Sequence, residues 1–240
     1  MAQYSADVVQ LKTLPNQEML ALAYAAYRIN GYRYVKDGRR FSEGQPTEHA
    51  NKNLMHYFLN SKGHMPSVYV PNDYVPFSIT EEDYASVERA RSHFKRYTME
   101  ILGDSLTNFQ KSVYETYCLD TIPVNAAGII SYLPKLVDRE LDDIAFKKLL
   151  RTEYRDSVHV GTVGDGVEGV AKILRSFYSA QWERWYYTVA IGGNVFSFSN
   201  AHEHSAGSMK RLKAKVKGHT KNRMFAVDET QLHYVKLYKV

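Results

Sequence analysis

Apolar residues recur at helical spacing through the first 150 positions and at every second position thereafter. Asn16 stands as a cap ahead of Glu18, and Met19, Leu20, Leu22, Ala23, Ala26 and Tyr27 form one apolar stripe, which predicts a helix over 17–29 that Gly31 ends. The segment from Tyr32 to Arg40 reads as a basic, tyrosine-bearing turn or hairpin around Asp37-Gly38. Thr47 and Glu48 open a second helix with Leu54, Met55, Phe58 and Leu59 as its buried side and Gly63 as its stop. Pro66, Pro71 and Pro76 remove amide donors and keep 64–79 an extended loop. Thr80-Glu81-Glu82-Asp83 places acidic residues at the positive end of a long helix that reaches Leu102, and Gly103-Asp104-Ser105 separates it from a helix over 106–118. From 124 to 150 the spacing is helical again, with Pro134 predicting a kink or a break before a helix over 135–150.

Arg151 to Ser157 reads as a charged hinge, and beyond it the period becomes two. Strands are predicted at 157–164, 167–177, 184–191, 194–199, 211–217 and 231–240, with Gly192-Gly193-Asn194 as a tight hairpin turn. In the fifth of these Leu212, Ala214 and Val216 point to one side and Arg211, Lys213, Lys215 and Lys217 to the other, giving a core face and a cationic stripe. An exposed strand also carries lysine simply to stay wet and unaggregated, so the stripe alone does not define a site. The expected fold class is α+β: a mainly helical region over 1–156, then a small antiparallel barrel of the OB type over 157–240.

Charge sharpens the picture. Residues 157–240 hold 12 Lys/Arg against 6 Asp/Glu, while the whole chain holds 31 against 26, so the positive excess belongs to the last third and points to a polyanion. Cys118 is the single cysteine, which excludes an intrachain disulfide and a cysteine-based zinc site and suits a reducing compartment. The start, Met1-Ala-Gln-Tyr-Ser-Ala-Asp, carries no basic region followed by an apolar core, and no 18 apolar residues run together, so a cytoplasmic protein without membrane partners is expected. Tyrosine occurs 19 times, which suits binding surfaces as well as cores.

Four segments in order, Val160-Gly-Thr-Val-Gly-Asp, Arg175-Ser-Phe-Tyr-Ser-Ala-Gln-Trp, Tyr187-Thr-Val-Ala-Ile-Gly-Gly-Asn-Val-Phe-Ser-Phe-Ser and Lys215-Val-Lys-Gly-His-Thr, resemble the carboxyl-terminal OB-like domain of phage-encoded single-stranded-DNA-binding and replication-associated proteins. The resemblance covers the last third of the chain and implies a non-catalytic protein of replication or recombination, in the cytoplasm of the host cell if phage-encoded. Binding a flexible strand requires cations along the phosphates and flat faces for the bases. Arg175, Arg184, Arg211, Lys213, Lys215, Lys217, Lys221 and Arg223 are the candidates for phosphate, with His219 beside them. Phe177, Tyr178, Trp182, Tyr186, Phe196 and Phe198 are the candidates for stacking, and alternation sends roughly half of such aromatics into a core. Along 184–189, Trp185, Tyr187 and Val189 share one face, and Arg184, Tyr186 and Thr188 share the other, which is expected to be wet.

No phosphate-cradling loop, nucleophile elbow or dinucleotide fingerprint is present. His202-Glu203-His204 could chelate but reads as a polar loop between strands, and Asp138-Arg-Glu-Leu-Asp-Asp reads as the acidic face of a helix. The expectation is therefore no enzyme, no metal and no cofactor. Single-stranded DNA is the expected partner. RNA, self-association, and contacts of the helical region with replication or recombination proteins stay open. The rival reading is a protein-interaction adaptor or viral inhibitor of a host factor, in which the barrel is scaffold and tyrosines form the interface.

Overall fold

The computed structural model describes residues 12–39, 48–95, 106–179, 181–222 and 227–240. They form two compact units, Met1–Leu141 and Asp142–Val240, helical and barrel-forming respectively. No helix among the described residues is long and apolar enough to cross a membrane.

In the first unit α1 (Asn16–Ile29) is buried along its whole middle, Met19 to Tyr27, rather than on one stripe. A helix apolar all round belongs inside, and α2 (Asn51–Ser61), α3 (Glu81–Phe94) and α4 (Asn108–Tyr117) surround it, contributing Leu54, Met55, Leu59, Val87, Phe94 and Val113 to one core. Each such side chain taken out of water contributes about 1.5–3 kcal/mol. Asn16 does not cap α1, whose N-cap is Pro15. The Asn16 amide instead donates to the carbonyls of Tyr117 (2.7 Å) and Leu119 (2.8 Å) at the end of α4. Pairing of β1 (Thr13–Pro15) with β2 (Thr121–Pro123) brings these groups together.

Thr47, the expected start of α2, lies outside the described residues, as does the stretch from 96 to 105 into which the third helix was expected to run. Glu48 exchanges backbone hydrogen bonds with Arg39, so the basic segment closes onto the chain ahead of α2 rather than forming a hairpin by itself. The helix α3 starts where expected, its acidic first turn in place, and Thr80 and Asp83 add a reciprocal cap; the Asp83 carboxylate, 2% exposed, also holds Arg28 of α1 at 2.9 Å. Pro134 breaks the helical region as expected: α5 (Ala127–Ile130) ends before α6 (Leu133–Glu153), where proline occupies the second position and needs no amide donor. Helix α6 continues through Arg151 to Glu153, positions expected to be hinge.

The second unit is a closed barrel of β3 (Gly166–Ser179), β4 (Arg184–Ile191), β5 (Asn194–Asn200), β6 (Met209–Asn222) and β7 (Val227–Tyr238), in the order β3-β4-β5-β7-β6. Four contacts are antiparallel, but β5 and β7 pair in parallel, a departure from the all-antiparallel barrel expected. No strand forms over 157–164. Gly161 (φ 69°) and Gly164 (φ 97°) turn the chain there, and side chains satisfy the amides, Asn194 for Val158 and Thr230 for Val160. Gly192 (φ 57°) and Gly193 (φ 86°) make the predicted turn between β4 and β5.

Val167, Ile173, Tyr187, Val189, Phe196, Phe198, Leu212 and Val216 fill the barrel. Outside it, Phe146 and Leu150 of α6, with Tyr154 just beyond the helix, cover Ala190, Val195 and Val227. Helical residues thus belong to both units. At Gly169 a Cβ would stand 2.6 Å from Cγ2 of Ile191, a stiff β-branched side chain that cannot swing away. Gly169→Ala is expected to destabilise the barrel by about 1–3 kcal/mol in denaturant unfolding, with no change in the folded-state signal of the helices.

Candidate functional site

The first barrel strand changes partners. Gly166 to Lys172 pair with β6 and Lys172 to Ser179 with β4, so the end of the β3–β4 ribbon runs on without a β6 partner. Phe177 and Tyr186 are directly opposed on one face and stack at 5.3 Å between centroids, 11° from parallel. Tyr178 and Trp185 lie together on the other, and Trp182, 64% exposed, stands in the connecting turn. Exposure of large aromatics to this degree leaves faces available for a further ring.

Registry extends the first face across the barrel. Tyr186 is opposite Ser199, Thr188 lies between Arg175 and Ser197, and Ser197 meets Gln231 of β7. These residues, with Phe146, Lys217 and Glu229, line an open groove of about 360 Å³ whose floor is completed by Tyr187, Phe198 and Leu232. Its aromatic step is followed by a row of hydroxyl and amide groups.

Among the described residues two cations reach this groove. Arg175 is held by the Asp143 carboxylate and lies over the Phe146 ring at 5.2 Å, so its planar fork is fixed in place before any ligand arrives. Lys217 enters from β6. The Tyr187 hydroxyl donates to the carbonyl of His202 (2.6 Å) and accepts from the amide of His204 (3.0 Å). Burial pushes this phenol's pKa upward, partly countered by the His204 amide. The loop that carried the chelation question thereby anchors a core tyrosine through its backbone.

The alternation expected on β6 is present: Leu212, Ala214 and Val216 are buried while Arg211, Lys213, Lys215, Lys217, His219 and Lys221 are exposed. The stripe is not one site, however. Arg211 and Lys213 share Glu168 of β3, at 3.2 and 3.6 Å, and His219 stacks on His159 at 4.6 Å, so of these six Lys217 alone lines the groove. Arg184 is exposed at the start of β4, its guanidinium 3.5 Å from Ser199 Oγ. Arg223 lies outside the described residues.

Phe196 and Phe198 correct the expected stacking set. They are 1% and 5% exposed because β5 turns its phenylalanines inward and its serines outward; Phe198 reaches the groove only as part of its floor. The wet face of β4 is as expected, with Tyr187 and Val189 buried and Arg184, Tyr186 and Thr188 not. Ser197, Ser199, Glu229, Gln231, Asp143 and Phe146 were missed. Alternation with Phe196 and Phe198 marks the two serines, but the others reach the groove through long-range contacts.

Comparisons with protein-family models, with curated proteins and with solved structures find no match to this chain. Phe196→Ala is expected to lower stability by about 3–5 kcal/mol, whereas Phe177→Ala stays within about 0.5 kcal/mol of the parent in the same denaturant titration, since only the former leaves a cavity.

Proposed function

We propose that the chain is a single-stranded nucleic-acid-binding protein, DNA foremost, that holds its ligand in the groove of an OB-type barrel. The observation that carries this reading is the conjunction, in one groove, of the stacked Phe177–Tyr186 pair with the fixed Arg175 and with Lys217. Bases supply flat faces and phosphates supply charge, and a flexible strand offers both at once.

The connectivity supports the same reading. Numbered within the barrel, the strands close in the order first, second, third, fifth, fourth, with third and fifth parallel. In barrels of the OB type oligonucleotides lie across the second and third strands, between the loop that joins the first to the second and the loop that joins the fourth to the fifth. Here those strands are β4 and β5, and Trp182 is in the first of those loops. The basic excess of the last third and the resemblance of its motifs to phage-encoded replication-associated domains agree with it.

Fluorescence anisotropy with a labelled single-stranded oligonucleotide at two salt concentrations tests the proposal. Binding should weaken steeply with salt and resist duplex competitor. Phe177→Ala and Tyr186→Ala should each cost about 1–3 kcal/mol of affinity, and Lys217→Ala should lower the salt slope by about one. Absence of binding at low salt would overturn the proposal, and salt-insensitive capture of a protein partner would favour the adaptor reading.

A further inference from the structure

Next to the groove the barrel holds a tyrosine in a place that its fold does not require. Lys213 pairs with Lys236 and Lys215 with His233, so Ala214 of β6 is matched by two residues of β7, Tyr234 and Val235. This is a β-bulge, which adds one residue to a strand and re-aims its side chain. Val235 packs toward the barrel interior, so the consecutive residues His233 and Tyr234 both turn outward, their ring centroids 4.4 Å apart. Tyr234 has φ 53°, in the left-handed region that a residue with a Cβ enters only at a cost, and its side chain is 78% exposed. Glycine would make the same bulge without that strain. Tyrosine adds only its ring, and a ring so exposed contributes little burial, so packing of the barrel does not account for it.

The charges around this ring point to its ligand. Lys213 and Lys236 stand directly opposite each other, an unfavourable cross-strand pair that an anion lying over it would make favourable. Glu168 lies 3.6 Å from Lys213, on the β3 side. Lys215 is exposed opposite His233, and Lys217, two residues further along the same side of β6, lines the groove together with Leu232, the chain neighbour of His233. Alternate residues of a strand are about 6.5–7 Å apart on one face, so the cations lead from the groove to Tyr234 without leaving the β6–β7 surface.

Resting on the reading of the groove as a single-strand site, we propose that the strand continues from Lys217 along β6 and that Tyr234 is a second stacking position for its bases, with Lys215 and Lys236 on the adjoining phosphates. The site then has two stacking points, the Phe177–Tyr186 step on β3 and β4 and Tyr234 on β7. Only unpaired bases can stack on a lone protruding ring. A strand too short to span both points engages one at a time, whereas a longer one gains the second contact as an intramolecular event.

The test uses the full chain, labelled oligothymidines of about 5 and about 15 nucleotides, within the range of single-barrel sites, and the substitution Tyr234→Gly. This change removes the ring and the strain together, so its unfolding midpoint should equal or exceed the parent's. In fluorescence anisotropy its affinity for the longer oligomer should fall about tenfold, in the lower part of what one stacked base contributes, and its affinity for the shorter one by much less. Tyr234→Phe, which keeps the ring, should restore the affinity for the longer oligomer. Salt-sensitive binding of the longer oligomer that is equally tight in the parent and in Tyr234→Gly would overturn the second stacking position and leave the groove standing. An equal loss for both lengths, or the same loss in Tyr234→Phe, would overturn it as well. Failure of the parent protein to bind either oligomer at low salt would overturn both readings.

Discussion

The parallel contact between β5 and β7 is the constraint on which the barrel and its groove depend. The pairs Val195 with Glu229, Phe196 with Thr230 and Ser197 with Gln231 close the sheet on itself, leaving no open edge between these strands. Closure fixes a small interior, and Tyr187, Phe196 and Phe198 occupy much of it, so the alternate residues of the same strands must face outward. One register therefore specifies both the core and the row of Thr188, Ser197 and Gln231 outside it. A slip of one residue would exchange the two faces.

The aromatic step has a different origin. Where β3 leaves β6 for β4, the ribbon runs on without a β6 partner, and Phe177 and Tyr186 stack there outside the barrel core. Helix α6 supplies the remaining part. Its apolar residues cover Ala190 and Val195, and the same helix presents Asp143 and Phe146 to Arg175. An arginine held by an acid and a ring gives up less side-chain freedom on meeting a ligand than a free lysine of the β6 stripe.

Local patterns in the sequence revealed most of the elements and part of the site. The span of β4, the Gly192-Gly193 turn, the break at Pro134 and the two faces of β6 follow from alternation, positive-φ glycines and proline chemistry. Alternation also contained the inward direction of Phe196 and Phe198, since serine occupies positions 197 and 199 in alternation with them, although both phenylalanines were assigned to stacking. Asn16 shows the limit of cap grammar: the residue type is right for a cap, yet its amide serves the end of another helix, 101 and 103 positions away. Glu229, Gln231 and Asp143 were illegible for the same reason, because only pairing between distant segments brings them to Ser197 and Arg175.

The central claim, that a single strand lies against the Phe177–Tyr186 step, is tested most directly by ultraviolet cross-linking of the full chain to a single-stranded oligonucleotide carrying 5-bromouracil, with adducts mapped by mass spectrometry. The account predicts adducts on the β3–β4 ribbon, at Phe177, Tyr186 or Trp182, that unlabelled single strand suppresses and duplex does not. Adducts confined to the helical unit, on a protein that binds the same oligonucleotide, would contradict it.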